Sequence, residues 1–167
     1  ANFYKRRGGN VFWVGHPMID LTKKLPSKRE SRTILKLRAN QNILLLMPAS
    51  RPQELRYILP TFLKTAKKLQ LRYPNLIVYI PSSRRVFDER FRRGLEKYQI
   101  KGMVISQEDH SQLKPYIYSL TKLALCKSGT VNMELALYGI PQIVGYRVSR
   151  VTAFIAKKIL NFKVRFI

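Results

Sequence analysis

The chain has 167 residues, of which 46% are hydrophobic, and it carries 32 Lys and Arg against 9 Asp and Glu, a net charge of +23. This composition supports one domain with a hydrophobic core and excludes a disordered or fibrous protein. A positive charge of this size predicts an anionic partner, which is nucleic acid, an acidic membrane surface or a phosphorylated small molecule. The single cysteine, Cys126, excludes an internal disulfide framework and a zinc site built on cysteines.

The first part of the chain, residues 1–42, is basic and contains many turn residues. We interpret it as a linker or entry segment with one short strand at residues 11–14. Residues 1–7 have no apolar segment after their basic residues, so they do not have the pattern of a signal peptide. Because the first residue is not Met, we expect a piece of a longer protein. No stretch of the sequence is long and apolar enough for a membrane-spanning helix.

From residue 43 onward, short apolar runs alternate with amphipathic segments. Five strands are predicted, at residues 43–47, 76–80, 102–105, 123–126 and 142–145. Five helices are predicted, at residues 52–72, 86–98, 113–120, 130–138 and 151–161. Pro60 is expected to kink or split the first helix, and Ser50 with Gln53 is expected to form a capping box at its start. The alternation predicts an α/β domain over residues 43–167, a Rossmann-like doubly wound parallel sheet that binds ligands beyond the carboxyl ends of its strands.

The loop after the fourth predicted strand has the chemistry of an anion site. Ser128 and Thr130 offer hydroxyl groups beside the free N–H groups of a helix start, and Gly129 allows a ligand to approach the backbone closely. Glu134 lies one helical turn beyond, where its carboxylate can accept hydrogen bonds from two ribose hydroxyls. These residues suit a nucleotide diphosphate, but a helix capped by Ser128 with a solvent-exposed Glu134 fits the spacing equally well. No Walker A or G-x-G-x-x-G motif is present, which disfavours ATP hydrolysis and dinucleotide binding.

The loop after the first predicted strand places Ser50 and Arg51 before another helix start at the same edge of the sheet. The guanidinium of Arg51 can bind a departing diphosphate through two hydrogen bonds. The alternative is an arginine that is merely on the surface, and spacing alone favours that alternative.

Three groups of motifs follow one another along the chain. They are Val14-Gly15-His16-Pro17; Leu46-Met47-Pro48-Ala49-Ser50-Arg51 followed by Glu54 and Leu59-Pro60; and Ser128-Gly129-Thr130 with Glu134, continuing to Pro141-Gln142-Ile143-Val144-Gly145-Tyr146-Arg147. Together, from about residue 11 to the end, they resemble the C-terminal half of the lipid-A-disaccharide synthases, a family of GT-B glycosyltransferases. The sequence departs from the family at Ala49, where the family usually has Gly.

The resemblance implies a site for a UDP-sugar. The substrate-binding residues that it implies are Ser50, Ile105, Ser128, Gly129, Thr130 and Glu134. Among them, Glu134 would bind the ribose and Ile105 would hold the uracil edge through its backbone, while Arg51 would be a catalytic residue on the phosphate side. The family uses no tightly bound metal, so the resemblance implies no metal and no other cofactor.

The resemblance also implies a reaction and a setting. The family transfers a 2,3-diacylglucosamine unit from UDP to a lipid X-type acceptor through a β-1,6 linkage, in the cytoplasm and peripheral to the inner membrane. Expected partners are therefore the UDP-diacylglucosamine-type donor, an anionic lipid acceptor, an anionic membrane surface and the N-terminal domain of the same protein. The acceptor site and the acidic catalytic residue of the family belong to that N-terminal domain, so this chain alone is expected to bind the donor without catalysing transfer.

Three other interpretations stay open. A basic nucleic-acid-binding module would explain the charge, although no helix-turn-helix, RNP-type or zinc-finger pattern is visible. Another GT-B enzyme, such as a peptidoglycan N-acetylglucosaminyltransferase, shares the Ser-Gly-Thr-like loop and the ribose-binding Glu, but the Gly-His-Pro and Ser-Arg motifs favour the lipid A family. A member of that family with a different acceptor fits as well. The helix predicted at residues 151–161 is basic and amphipathic, which suits an anionic membrane surface, but a core-facing helix with a solvated basic rim fits the pattern at least equally well.

Overall fold

The structure, a computed structural model, describes residues 2–22 and 24–147. Its strands are β1 (Asn42–Met47), β2 (Leu76–Pro81), β3 (Gly102–Ile105), β4 (Thr121–Lys127) and β5 (Gln142–Gly145). Its helices are α1 (Asn2–Lys5), α2 (Pro17–Leu21), α3 (Lys28–Ile34), α4 (Pro52–Arg72), α5 (Asp88–Lys97), α6 (Gln107–Leu120) and α7 (Thr130–Leu137). Among these described helices, none combines the length and the apolar character needed to cross a bilayer. The helix predicted at residues 151–161 lies outside the described residues.

The five strands form one parallel sheet in the order β3-β2-β1-β4-β5. The chain therefore winds outward from β1 through β2 to β3, returns through α6, and winds outward on the other side from β4 to β5. This is the doubly wound α/β arrangement that the sequence predicts. At the β2–β3 contact, Gly102 lies so close to β2 that a Cβ atom there would be 2.4 Å from the carbonyl oxygen of Val78.

Buried side chains form two clusters, one on each face of the sheet. Along β1, Leu44 and Leu46 pack on the face that α4 and α5 cover. Ile43 and Leu45 pack on the opposite face, which α6 and α7 cover. All four side chains are fully buried. Because both faces of β1 are covered, each of these four positions needs an apolar residue, which explains the continuous apolar run in the sequence. The same burial places β1 at the centre of the domain.

Helix α4 continues through Pro60 from Pro52 to Arg72, so the expected split does not occur. Its buried side chains against the sheet are Leu55, Ile58, Leu59, Phe62, Leu63, Ala66 and Gln70. Burial of this apolar face outweighs the roughly 3 kcal/mol that an internal proline costs a helix. The expected capping box of Ser50 and Gln53 is also wrong, because the N-cap position belongs to Arg51, which makes no side-chain cap hydrogen bond.

Helix α6 begins well before residue 113, the predicted start. The Ser106 hydroxyl oxygen accepts a hydrogen bond from the Asp109 N–H at 3.1 Å and lies 2.7 Å from Asp109 Oδ2. This cap starts the helix at Gln107. The first turns are polar and exposed, so apolar periodicity does not reveal them.

The described residues between 2 and 42 form three short helices, and the strand predicted at residues 11–14 does not form. Phe12 and Trp13 are instead largely exposed. The end of the segment packs on the domain, because Ser31 of α3 is fully buried and its hydroxyl oxygen lies 2.6 Å from that of Ser119 in α6. Leu35, directly after α3, joins the buried cluster on the same face of the sheet.

Candidate functional site at the switch point of the sheet

Two loops meet where the strand order of the sheet reverses. β1 and β4 are neighbours, with Met47 beside Cys126 at their carboxyl ends. The loop after β1 leads to α4 on one face, and the loop after β4 leads to α7 on the other face. Ligands of doubly wound sheets bind in the crevice that forms between two such diverging loops. We use the name switch-point crevice for the two loops and the first turns of α7. This region carries six predicted site residues, namely Ser50, Arg51, Ser128, Gly129, Thr130 and Glu134.

The start of α7 is fixed by Asn132. Its side-chain Oδ1 accepts a hydrogen bond from the Gly129 N–H at 2.6 Å, and its own N–H donates to the Gly129 carbonyl at 3.1 Å. Its amide nitrogen donates to Gln142 Oε1 at 2.9 Å, which ties the helix to β5. The N-cap is therefore Gly129, not Ser128, so the interpretation of a helix capped by Ser128 is wrong. The side chain of Ser128 is left for another role.

Gly129 lies beside open space. A Cβ atom built on it would meet nothing within 4 Å. Its backbone is extended, with φ of 172°, a conformation that any residue adopts. Neither packing nor backbone geometry within the described residues therefore calls for glycine here, which leaves close approach of a ligand as the reason that the sequence predicts.

Glu134 is not the solvent-exposed residue of the alternative interpretation. Its side chain is 22% exposed, and its Oε1 lies 2.6 Å from Lys114 Nζ on α6. Burial lowers the pKa of the neighbouring His110, the charge of Lys114 lowers it further, and Glu134 acts in the opposite direction. Burial raises the pKa of Tyr118, and the charge of Glu134 also raises it. His110 and Tyr118 are therefore neutral at neutral pH, and Lys114 supplies the charge that balances Glu134.

Arg51 reaches into solvent at the start of α4. Its side chain is 80% exposed, and one guanidinium nitrogen lies 4.0 Å from Glu54 Oε1. The following residue, Pro52, occupies the first helical position, where a missing N–H has no consequence. Arg51 is thus held at its backbone by the helix start while its guanidinium can reach a ligand in the switch-point crevice.

Sequence reasoning missed an ion pair across the crevice. Lys127, the last residue of β4, places its Nζ 2.9 Å from Oε1 of Glu54 in α4. Both side chains are mostly buried, at 23% and 20% exposure. The sequence does show that Lys127 directly precedes Ser128, which indicates a cation near the predicted anion site but not its pairing with Glu54.

Ile105 lies apart from the other predicted residues. It ends β3, and both β2 and β1 separate it from β4. Its side chain is buried, and its carbonyl oxygen already accepts a hydrogen bond from the Ser82 N–H at 2.8 Å. The structure therefore brings Ile105 to the same edge of the sheet but does not place it in the crevice.

Comparison with known proteins gives the same family along the whole chain. The sequence model of the lipid-A-disaccharide synthetase family matches residues 1–167. Among curated relatives, the lipid-A-disaccharide synthase of Prochlorococcus marinus (strain MIT 9313) is 48% identical over 167 residues, which are 100% of this chain and 43% of that protein. The enzyme of the same name from Synechocystis sp. (strain ATCC 27184 / PCC 6803 / Kazusa) is 36% identical over 168 residues, 100% of this chain and 42% of that protein. The chain thus spans less than half the length of these relatives.

Solved structures share the fold. WaaG, a glycosyltransferase involved in lipopolysaccharide biosynthesis, superimposes with a TM-score of 0.57 at 18% identity. The match covers 85% of this chain and 38% of the WaaG chain. The C-terminal domain of the group 1 glycosyl transferase LpcC from Francisella tularensis superimposes with a TM-score of 0.56 at 14% identity. That match covers 86% of this chain and 85% of the LpcC domain. From the family match, the curated relatives and this fold, we conclude that the chain belongs to the lipid-A-disaccharide synthase family and has the fold of a GT-B glycosyltransferase C-terminal domain.

Proposed function

We propose that this chain binds the UDP-sugar donor of a lipid-A-disaccharide synthase in the switch-point crevice. The diphosphate would lie between the Ser50–Arg51 loop and the start of α7 at residues 128–130, with the ribose hydroxyls on Glu134. The observation that carries the proposal is the meeting of these two loops at the reversal of strand order, in a chain that matches the family over its whole length.

Each part of the crevice suits a phosphate or a ribose. The N–H groups of Thr130 and Val131, the first two residues of α7, have no partner within the helix, and the positive end of the helix dipole favours an anion there. The exposed guanidinium of Arg51 can bind two phosphate oxygens at once. As the bond to the sugar breaks, negative charge grows on the diphosphate, and these fixed donors stabilise it. The uracil edge would lie at the end of β3, where the Ile105 carbonyl has a second lone pair for a hydrogen bond.

The relatives are named lipid-A-disaccharide synthases, which supports the formation of a disaccharide by the whole enzyme. In our proposal, a 2,3-diacylglucosamine unit passes from UDP to the 6-hydroxyl of a lipid X-type acceptor. The acceptor oxygen bonds to the anomeric carbon as the bond from that carbon to UDP breaks, so the configuration inverts. The acceptor proton goes to a base outside this chain. Residues 43–167 would form the donor domain, and residues 1–42 would lead into it, in a cytoplasmic enzyme peripheral to the inner membrane.

Isothermal titration of the chain with UDP tests the proposal. We expect saturable binding that Glu134→Ala weakens by roughly tenfold, because a hydrogen bond to a charged group contributes about 1.5–3 kcal/mol. Glu89→Ala is the matched control, since Glu89 is an exposed carboxylate paired with Arg93 on α5. Absence of UDP binding, together with tight and salt-sensitive binding of a nucleic-acid competitor, would overturn the proposal and favour a nucleic-acid-binding role.

A further inference from the structure

Lys127 is a cation in the switch-point crevice to which the proposed donor site assigns no role. It is the last residue of β4. Because residues two apart in a strand share a face, Lys127 lies on the same face as Leu125, which packs on the α4 side of the sheet. Its Nζ lies 2.9 Å from Glu54 Oε1 and 5.8 Å from the ring centre of Tyr146. The ammonium group thus lies on the α4 side of the crevice, one residue before the loop that starts α7.

Glu54 faces two cations at once. Its Oε1 lies 2.9 Å from Lys127 Nζ and 4.0 Å from the nearest nitrogen of Arg51. One carboxylate balances only one of these charges, so this group of three side chains has a net positive charge. The positive end of the α7 dipole adds to it from the opposite face of the sheet. An anion between the two faces would be attracted by both of these positive charges.

We propose that Lys127 is a second phosphate-binding cation of the donor site, which exchanges its ion pair with Glu54 for one with the diphosphate of the donor. This inference rests on the proposed function. A lysine is suited to the exchange because its ammonium is a compact charge with three donors on a flexible stem. Its Nζ can turn from Glu54 to a ligand while the backbone of β4 stays in the sheet. Arg51 binds the same diphosphate from the start of α4, so the departing charge has a cation from each of the two loops.

The test compares UDP with uridine, because uridine has the base and ribose but no phosphate. NMR titration of the full chain measures both dissociation constants. We expect Lys127→Met to weaken UDP binding by roughly tenfold, the scale of a charge-assisted hydrogen bond. Uridine affinity is expected to stay unchanged, and Lys127→Arg is expected to keep most of the UDP affinity. Lys122→Met is the matched control, because Lys122 is an exposed lysine on the same strand and its loss changes the net charge equally.

A double-mutant cycle separates a phosphate contact from a structural role. Lys127→Met leaves Glu54 with only Arg51, 4.0 Å away, as a partner, and a carboxylate that has lost its closer cation beside the diphosphate would by itself weaken UDP binding. If Lys127 contacts the phosphate, the loss caused by Lys127→Met persists in a Glu54→Gln background. If the loss disappears in that background, the lysine only neutralises Glu54 and the proposal is wrong.

Two further outcomes distinguish this inference from the proposed function. If UDP and uridine bind to the wild-type chain and Lys127→Met changes neither affinity, the role of Lys127 is overturned while the nucleotide site stands. If the wild-type chain binds neither ligand, both fail together. Thermal unfolding of each variant, measured in parallel, shows that the compared chains are folded.

Discussion

The ion pair between Lys114 of α6 and Glu134 of α7, with 2.6 Å between Nζ and Oε1, joins two helices on the same face of the sheet. α6 follows β3 and α7 follows β4, so the pair links the segments that follow two strands lying on opposite sides of β1. In the proposed complex, these segments hold the uracil and the ribose. The ion pair therefore sets the position of the ribose acceptor relative to the end of β3.

Lys114→Met is expected to lower the free energy of unfolding by about 1–2 kcal/mol, because it leaves a mostly buried carboxylate without its charged hydrogen-bond partner. Urea denaturation measures this change. The control is Arg93→Met, which breaks the pair of Arg93 with Glu89, whose side chains are 74% and 61% exposed. That loss is expected to stay below about 0.5 kcal/mol. Equal losses in the two variants would contradict a structural role for Lys114.

Gly129→Ala is expected to leave stability unchanged or raise it by up to about 1 kcal/mol, because the added methyl group meets open space and an alanine has less freedom in the unfolded chain. It is nevertheless expected to weaken UDP binding, since the methyl group occupies the approach to the α7 start. Gly102→Ala is the contrasting variant, with a Cβ only 2.4 Å from the Val78 carbonyl oxygen. It is expected to lose about 1–3 kcal/mol of stability. UDP affinity that is unchanged by Gly129→Ala would argue against a ligand at this position.

The stability of the chain is expected to fall as the pH drops below about 6.5, the ordinary pKa of histidine. Burial lowers the pKa of His110, so the unfolded chain binds a proton more tightly than the folded chain does. Stability is therefore full above about pH 6.5 and declines as the pH falls toward the lower folded-state pKa. Urea midpoints at about pH 7.5 and about pH 5.5 measure the effect across this range. His110→Gln is expected to flatten the slope.

Helix α3 is expected to be required for full stability of the domain. A chain that begins at residue 24 keeps α3 and its contacts, whereas one that begins at residue 39 loses the buried Ser31 and Leu35. The free energy of unfolding of the shorter chain is expected to be lower by about 2–5 kcal/mol, the usual cost of removing a buried aliphatic side chain. Urea denaturation of the two chains gives the comparison. Equal stability would place the start of the independent domain close to residue 43, as the sequence alone suggests.

Strands bounded by glycine or proline could be predicted from the sequence. β3 and β5 have the predicted bounds. β3 begins at Gly102, after Lys101, and ends before a polar residue, whereas β5 follows Pro141 and ends before an aromatic residue. The start of α6 could not be predicted from apolar periodicity, although the spacing of Ser106 and Asp109 is a cap signal. Residues 11–14 have strand-forming side chains but no neighbouring strand in the described sheet. Pairing is not a local property, so their sequence could not exclude a strand.

The candidate site could be predicted only where it lies within one continuous motif. The loop at residues 128–130 is such a motif. The ion pairs Lys127–Glu54 and Lys114–Glu134 join residues 73 and 20 positions apart. The first of them depends on β4 returning to the side of β1 rather than to the side of β3, and periodicity does not specify strand order. The sequence therefore contains both partners of each pair without showing that they meet.

Asn132 fixes the start of α7 through hydrogen bonds within the chain. Its side chain accepts from the Gly129 N–H and donates to Gln142, so helix, loop and β5 are held together by hydrogen bonds within the chain. Part of the conformational entropy of the loop is consequently lost when the domain folds, so less of it has to be lost on binding. An anion that reaches α7 would therefore meet the aligned N–H groups of Thr130 and Val131, in a backbone that Asn132 already orders.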